Sequence, residues 1–516
     1  MGAATLLAAA AVAAAWVAAR EPAFAPLLWL GLLLSCLALR PGERRFVSPV
    51  WLTAALAAFA VTWPTALDHE AAVRHALTFA AAALLFGLAR ARPPSDRALL
   101  VVALGIAATA LVAGWQLAGG LDQAGAQVGQ LPLAVQEAAA ARLAGDRAFG
   151  TATLPGHFAA LLLLAAPLGA AAIVRERGVA RLGGVLTTAL AVVGVVLTRS
   201  LAGAAVAAAL LVLAAVWVLP RRWGVAAVVT AVVVVASLAL ARPDLTALSP
   251  VRLRWLNWRT TAWVAAQHPW LGVGLGGVGQ ASLTSPWAVD NSTPYSHNTL
   301  LQMLAEGGVA SVGVLAALVV ALVSPLRRTL ATSPTLTLAV CVVPLHNLVD
   351  FSAYAPEVLW PWAVLAGTLA GRSLPPPRPL PGWLLVPVLA GGVVLSTLLW
   401  RAGVELRAAQ ASSPPVAVEH AMRAARLAPW TVTPALEAAG VALDRPVPRE
   451  SLIALDGLLG ERGWVWPVSS AWAEARGRVL LALGRPGEAL VWIGEARRRA
   501  PSRDDLLAWE ARCAAP

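Results

Sequence analysis

The sequence predicts an all-α protein, a polytopic membrane bundle of about 12–13 spanning helices followed by a soluble helical C-terminal domain. Three observations carry that expectation. Of 516 residues, 59% are hydrophobic and only 13% charged, against roughly 45–50% and 25% in soluble domains, and the mean hydropathy is +0.72. The apolar residues come in runs of about 20, the length a helix needs to cross a bilayer core. From Arg401 onward the chain turns polar and Arg-rich. Such a chain is neither disordered nor an ordinary soluble enzyme.

Taken in order, the apolar runs centre near Ala10, Gly31, Ala57, Ala80, Ala108, Leu163, Leu190, Ala209, Val232, Val314, Cys341, Val364 and Gly391. The first resembles a signal peptide in length, but the spans behind it make it an uncleaved helix. All 39 basic residues are Arg, giving a formal charge of +12. Their placement alternates. Arg40, Arg44 and Arg45, then Arg90, Arg92 and Arg97, then Arg175, Arg177 and Arg181, then Arg221 and Arg222, Arg327 and Arg328, and Arg372 and Arg378 mark every second connection. The intervening connections carry acids instead, such as Asp68 and Glu70, Asp122 and Glu137, or Asp350 and Glu357. The positive-inside rule therefore puts the N-terminus and the basic connections in the cytoplasm, and the acidic connections and the tail outside. Most of the charge is a topology signal, so nucleic acid is not an expected partner.

Two outward segments are long, one over 242–297 and the tail over 401–516. A third, Gly119 to Gly150, contains Leu131 to Leu143, which suits a helix lying on the membrane surface. Cys36, Cys341 and Cys513 form neither a metal spacing nor a disulfide framework. No Asp-x-Asp pair stands in the outward loops to hold a metal, and no cofactor motif is present. The glycines Gly272, Gly274 and Gly277 nominally match a dinucleotide fingerprint, but no strand precedes them and no acid follows at the required distance.

In the tail, Ala471 to Pro501 has helical periodicity interrupted by a Gly-Arg-Pro-Gly turn at Gly484 to Gly487. Gly477, Leu480, Ala489, Ile493, Ala496 and Pro501 fall where a tetratricopeptide unit places its small, apolar and terminal Pro residues, with Trp472 one position out of place. Ala417, Ala421, Ala424 and Pro429 repeat part of the pattern, and the two prolines are 72 residues apart, close to two such units. The tail thus resembles a short tetratricopeptide array, a module suited to binding a protein partner.

The stretch with chemical content runs from Val251 to Gly308. Arg252, Arg254 and Arg259 crowd a loop assigned outside, where the positive-inside rule does not call for them. They precede a helix break at His268-Pro269 and five glycines between Gly272 and Gly279. Arg carries a planar fork that grips phosphate through two N–H groups and stays charged at any relevant pH. Beside a membrane, the phosphate at hand is that of a lipid.

This stretch resembles the O-antigen ligase and polymerase superfamily, membrane glycosyltransferases that take glycans from undecaprenyl diphosphate. The resemblance rests on Arg254 and Trp258, His268-Pro269, Gly272 to Gly276, His297-Asn298 and Glu306-Gly307-Gly308. Around it, GTATLPGHF from Gly150, LTRSLAGAA from Leu197 and HNLVDFSAYAP from His346 resemble further family segments, so that it covers 150–371. The family's Ser-Arg order is reversed here as Arg199-Ser200. The resemblance implies a bacterial inner membrane location, a lipid-linked glycan donor, and an acceptor that is lipid A core, another glycan or a protein.

Displacing a diphosphate requires a group to take the acceptor hydroxyl proton and cations for the departing charge. His297 is expected to serve the first role. Arg254, with Arg199 and Arg259, is expected to serve the second; the alternative for Arg199 is a structural pairing with a buried carboxylate such as Asp350. Asn298, Gly274 and Glu306 complete the expected substrate-binding set. The alternative for His297 is to cap the following helix together with Asn298; Gly274 would offer backbone N–H groups, and Glu306 would be a buried acid inside that helix. Metal-independent, inverting transfer follows from this chemistry. Ligation, polymerisation and O-linked transfer to protein stay open. A lipid-linked glycan flippase and a membrane scaffold displaying the tail are readings of a different class.

Overall fold

The computed structural model describes residues 63–130, 147–218, 249–288, 294–313, 333–373, 385–463 and 469–514, with a few isolated positions between them. Among the described residues every regular element is a helix. Among the described residues, five helical stretches are long and apolar enough to cross a membrane: His69–Ala91, Asp96–Ala126, Pro155–Arg175, Gly178–Leu197 and Leu389–Gln410. They contain the expected centres Ala80, Ala108, Leu163, Leu190 and Gly391. Leu201–Trp217 and Pro334–His346 are shorter apolar helices at the expected centres Ala209 and Cys341. The expected spans at Ala10, Gly31, Ala57, Val232 and Val314 lie outside the described residues, as does nearly all of the expected surface helix Leu131 to Leu143.

In chain order the elements are α1 (His69–Ala91), α2 (Asp96–Ala108), α3 (Ala110–Trp115), α4 (Leu121–Ala126), α5 (Pro155–Arg175), α6 (Gly178–Leu197), α7 (Leu201–Val218) and α8 (Ser249–Gln267). They continue as α9 (Val278–Ser282), α10 over 299–313, α11 (Pro334–His346), α12 (Pro356–Ser373) and α13 (Leu385–Gln410). The tail supplies α14 (Pro414–Leu427), α15 (Thr433–Asp444), α16 (Arg449–Glu461), α17 (Ser470–Ala482), α18 (Pro486–Arg499) and α19 (Asp505–Ala514).

The bundle centres on α5, which packs against α2, α6, α11 and α12 and buries Phe158 together with Leu161, Leu162 and Leu164. Small residues allow the closest approach. A Cβ on Gly184 would stand 2.8 Å from the Ala172 Cβ and from the Gly169 carbonyl oxygen, and one on Gly169 would stand 2.6 Å from Thr188 Oγ1. Where apolar burial between helices offers little net gain, as in lipid, such backbone proximity provides the packing. The opposite side of α6 exposes Val185, Val192, Val193 and Val196, a surface suited to hydrocarbon. A second core forms where α1 meets α12, with Trp360 Nε1 donating to the Thr78 carbonyl at 2.9 Å.

One stretch departs from regular helix for a local reason. Between α3 and α4 the backbone kinks at Ala118 and Gly119, the latter at φ +113°. This places buried Gln116 against the 149–150 loop. Its Oε1 accepts from the Phe149 and Gly150 amides at 3.1 and 2.8 Å, and its Nε2 donates to the Gly150 carbonyl at 3.0 Å.

Residues of three expected basic connections meet at one end of the bundle. Arg97 meets Glu176 at 3.5 Å, and Arg372 meets Asp96 at 2.7 Å. These residues belong to the connections assigned to one side. At the other ends of the helices, Arg254 of α8, His297 and Asp350 gather together. Thr433 of α15 also donates to Glu70 at 2.9 Å, so the tail and the acidic start of α1 share a face. The 400/401 domain boundary expected from polarity falls inside α13. No proline stands between Trp400 and Gln410, the helix continues through Gly403, and the chain turns only at Ala411 to Ser413, ahead of Pro414.

In the tail, α17 and α18 pair around the expected turn, where Gly484 has φ +77°. Leu480, Ala489, Ile493 and Ala496 are all buried, and Gly477 lies where a Cβ would stand 2.8 Å from Ile493. Ala417, Ala421 and Ala424 are buried on α14.

Replacing Gly184 with Leu is expected to destabilise the bundle by about 1–3 kcal/mol through overpacking. Val185→Leu on the lipid-facing side should be close to neutral. Thermal unfolding of the two variants in detergent checks the contrast.

Candidate functional site

The site is built around Asp350, which sits in the loop between α11 and α12. Its carboxylate is buried, with 4% of the side chain exposed. Asp350 Oδ1 accepts from the Phe351 amide at 2.9 Å and lies 3.2 Å from His297 Nδ1. On the other oxygen, Arg254 lies at 3.8 Å and His346 Nε2 at 3.9 Å. Gly156, near the start of α5, completes the cradle. A Cβ there would stand 2.6 Å from Asp350 Oδ2, so only glycine leaves room for the carboxylate. Burial alone would raise the Asp350 pKa, but the His297 hydrogen bond and the neighbouring histidine charges hold it well below the ordinary carboxylate range.

His297 is positioned by backbone. Among the described residues, the non-glycine residues with positive φ are Arg199, at 47°, and His297, at 53°. Both are residues singled out from the sequence. Left-handed backbone disfavours a side chain and persists where the surroundings impose it. Around His297 those surroundings are a tight turn. The Ser296 hydroxyl accepts from the Asn298 amide, and Trp258 Nε1 donates to the His297 carbonyl at 3.2 Å. With its proton on Nδ1, His297 donates to Asp350, and ring geometry then turns Nε2 away from the carboxylate as a base. The imidazole is 26% exposed and Arg254 22%, so both reach the surface while Asp350 does not.

Arg254 adds a second feature. Its Nε is buried without a hydrogen-bond partner, a desolvation cost borne at this site. Arg147 joins it. This guanidinium is anchored by Nε to the Thr198 carbonyl at 3.1 Å. Burial, then the charge of Arg254, depress its pKa, while Asp350 acts in the opposite sense. Two guanidinium groups thus share the field of one carboxylate, and the balance favours an anion.

The remaining expected residues fall elsewhere or act differently. Arg199 ends α6 next to Thr198, the residue that anchors Arg147; the carboxylate Asp350 has Arg254, His297 and His346 as its described ionic partners rather than Arg199. Arg259 stacks on Trp287, 4.3 Å from the ring centroid. Five residues along a helix rotate it about 140° from Arg254, so the two leave α8 on different sides. Asn298 caps α10. Its Oδ1 accepts from the Leu300 and Leu301 amides at 3.0 and 3.1 Å, and its Nδ2 donates to the Leu348 carbonyl at 3.0 Å.

Gly274 does not present a free amide. Its N–H donates to the Glu306 carbonyl at 3.0 Å, and at φ +78° its Cα lies against Ala66. The glycines pack the chain onto the 305–309 turn of α10. Glu306 is buried beneath Tyr354, whose hydroxyl donates to it at 2.6 Å, and Gln302, which donates at 2.7 Å. It is an internal acid of the scaffold, away from the Asp350 cluster.

Two elements had little or no signal in the sequence. Arg147 stood in a loop read as membrane surface. His157 and Glu357 face each other at 3.5 Å, both within 3.0 Å of the Thr153 hydroxyl. They tie the Thr153 loop to α12 and so hold Gly156 beneath Asp350. Phe351 stands between the two histidine rings, 4.8 Å from His157 and 4.8 Å from His297.

Residues 186–316 match the family model described as O-antigen ligase. That span takes in Arg199, α8, the glycine run and His297. No match was found among curated proteins.

His297→Gly and His297→Ala both remove the imidazole, but glycine tolerates the positive φ. The Gly variant is expected to be the more stable by about 1–2 kcal/mol, read by thermal unfolding. Asp350 has a depressed pKa, so its ionisation contributes stability above the ordinary value of about 3.9 and loses it as pH falls below that. Asp350→Asn should therefore unfold at lower temperature than wild type at neutral pH, the gap narrowing in strong acid.

Proposed function

We propose, from the O-antigen ligase domain at residues 186–316, that this membrane protein transfers a glycan from undecaprenyl diphosphate to an acceptor hydroxyl at the outer face of the bacterial inner membrane. The observation that carries the reading is the convergence of His297 and Arg254 on the buried Asp350 carboxylate, with Arg147 near enough to feel the charge of both Arg254 and Asp350. A base and two cations meet at one surface, supported by one orienting acid.

The residues divide the work. Asp350 fixes the ring and tautomer of His297. His297 Nε2 takes the proton of the acceptor hydroxyl as its oxygen bonds to the anomeric carbon. As the bond to the diphosphate breaks, its electron pair stays with the phosphate oxygen, and Arg254 and Arg147 stabilise that charge. The partly exposed Arg254 guanidinium is already placed beside Asp350 for it. One displacement inverts the anomeric carbon, and the arginines supply the charge stabilisation that a metal provides in other transferases.

The acceptor is lipid A core, another glycan or a protein. The helical tail beside Glu70 shares a face with the site and is suited to engaging a protein partner.

Full-length His297→Ala is expected to lower transfer by about 10²–10⁴-fold. Arg254→Ala should cause a comparable loss, with Arg254→Lys recovering only part because the ammonium lacks the two-pronged fork. Gly156→Ala should also lose transfer, since it displaces Asp350. Mass spectrometry of surface glycoconjugates reads each variant and shows whether glycan leaves lipid, protein or only chain length. Folded His297→Ala and Arg254→Ala variants that retain full transfer would overturn the assignment.

A further inference from the structure

On the face opposite Asp350, the ends of α2, α5, α11 and α12 line a shallow open cleft. Leu99, Leu100, Leu168 and Leu336 form its apolar floor, and Arg97, Arg175 and Arg372 stand among Asp96 and Glu176 at its polar edge.

The charges are not all internally satisfied. Arg372 is committed to Asp96 and to the Pro94 carbonyl, at 2.7 and 2.6 Å. Arg97 touches Glu176 only at 3.5 Å and is 80% exposed. Arg175 is exposed and has no ionic partner among the described residues. Three cations against two acids leave a net positive edge.

The start of α11 adds further donors. Its capping residue Ser333 makes no side-chain cap bond. The first amide bonded back to Ser333 is that of Thr337, so the amides of Thr335 and Leu336 precede the helix's own ladder. The positive end of the helix dipole points the same way. An anion-binding edge above an apolar floor, at the end of a membrane bundle, matches an amphiphile with a phosphate head.

We propose that this cleft binds an anionic phospholipid, with the headgroup phosphate on Arg97, Arg175 and the start of α11 and an acyl chain along the leucine floor. The ligand chemistry is a phosphate diester attached to a hydrocarbon chain. The cleft is separate from the glycan-transfer site, so the proposal does not depend on the reaction assigned to it.

The full chain, purified in mild detergent, is examined by native mass spectrometry with added phosphatidylglycerol, phosphatidylcholine or inorganic phosphate. Phosphatidylglycerol adducts are expected to exceed phosphatidylcholine adducts at least tenfold. Arg97→Gln combined with Arg175→Gln should abolish that preference, and Arg175→Glu alone should weaken it; both side chains are exposed, so the fold is not at stake. Equal retention of the two lipids, or a preference unchanged in the double variant, overturns the proposal. Inorganic phosphate retained as firmly as phosphatidylglycerol assigns the cleft to free phosphate and overturns the lipid assignment.

Discussion

A carboxylate withdrawn from water next to a membrane is the constraint that organises this protein. The penalty for burying such an ion is several kcal/mol even after relaxation, and Asp350 is tolerable only because many groups converge on it. The Phe351 amide, His297, His346 and Arg254 each contact an oxygen. They come from three separate parts of the chain, α8, the turn before α10, and the end of α11 with the loop that follows it. Gly156, from a fourth part, gives the carboxylate room. The buried charge therefore acts as the assembly point for segments that the sequence scatters over about 200 residues.

Much of this was legible in the sequence, and for physical reasons. Span positions are visible because a bilayer demands long apolar runs, and the partition of connections is visible because Arg is unevenly distributed. His297, Arg254 and Arg199 stood out as polar groups in places where neither topology nor packing asks for them. The structure adds that two of these, His297 and Arg199, hold left-handed backbone, a strain that residue spacing cannot reveal.

What escaped the sequence are relationships made by the fold. Arg147 gains its significance from Arg254, more than 100 residues away, and from its anchor on the Thr198 carbonyl. Arg259 looked equivalent to Arg254 because both crowd one outward segment, but that segment folds as α8, whose rotation sends Arg259 to Trp287. Gly274 suggested an open backbone because glycine-rich turns often admit ligands. Here the missing side chain admits Ala66 instead. A sequence shows that a glycine permits close approach; only the fold shows what approaches.

The continuity of α13 has a mechanical consequence. The helix runs from an apolar stretch through Gln410 to the turn that begins the tail, and the tail touches the bundle through Thr433 and Glu70. With no flexible linker between Trp400 and Gln410, the direction in which the tail faces is a matter of helical phase. Each residue added to or removed from α13 would swing the tail by about 100° around the helix axis while moving it only about 1.5 Å along it. The length of that helix therefore sets an angle more than a distance, and it aims whatever the tail holds relative to the surface that carries Asp350.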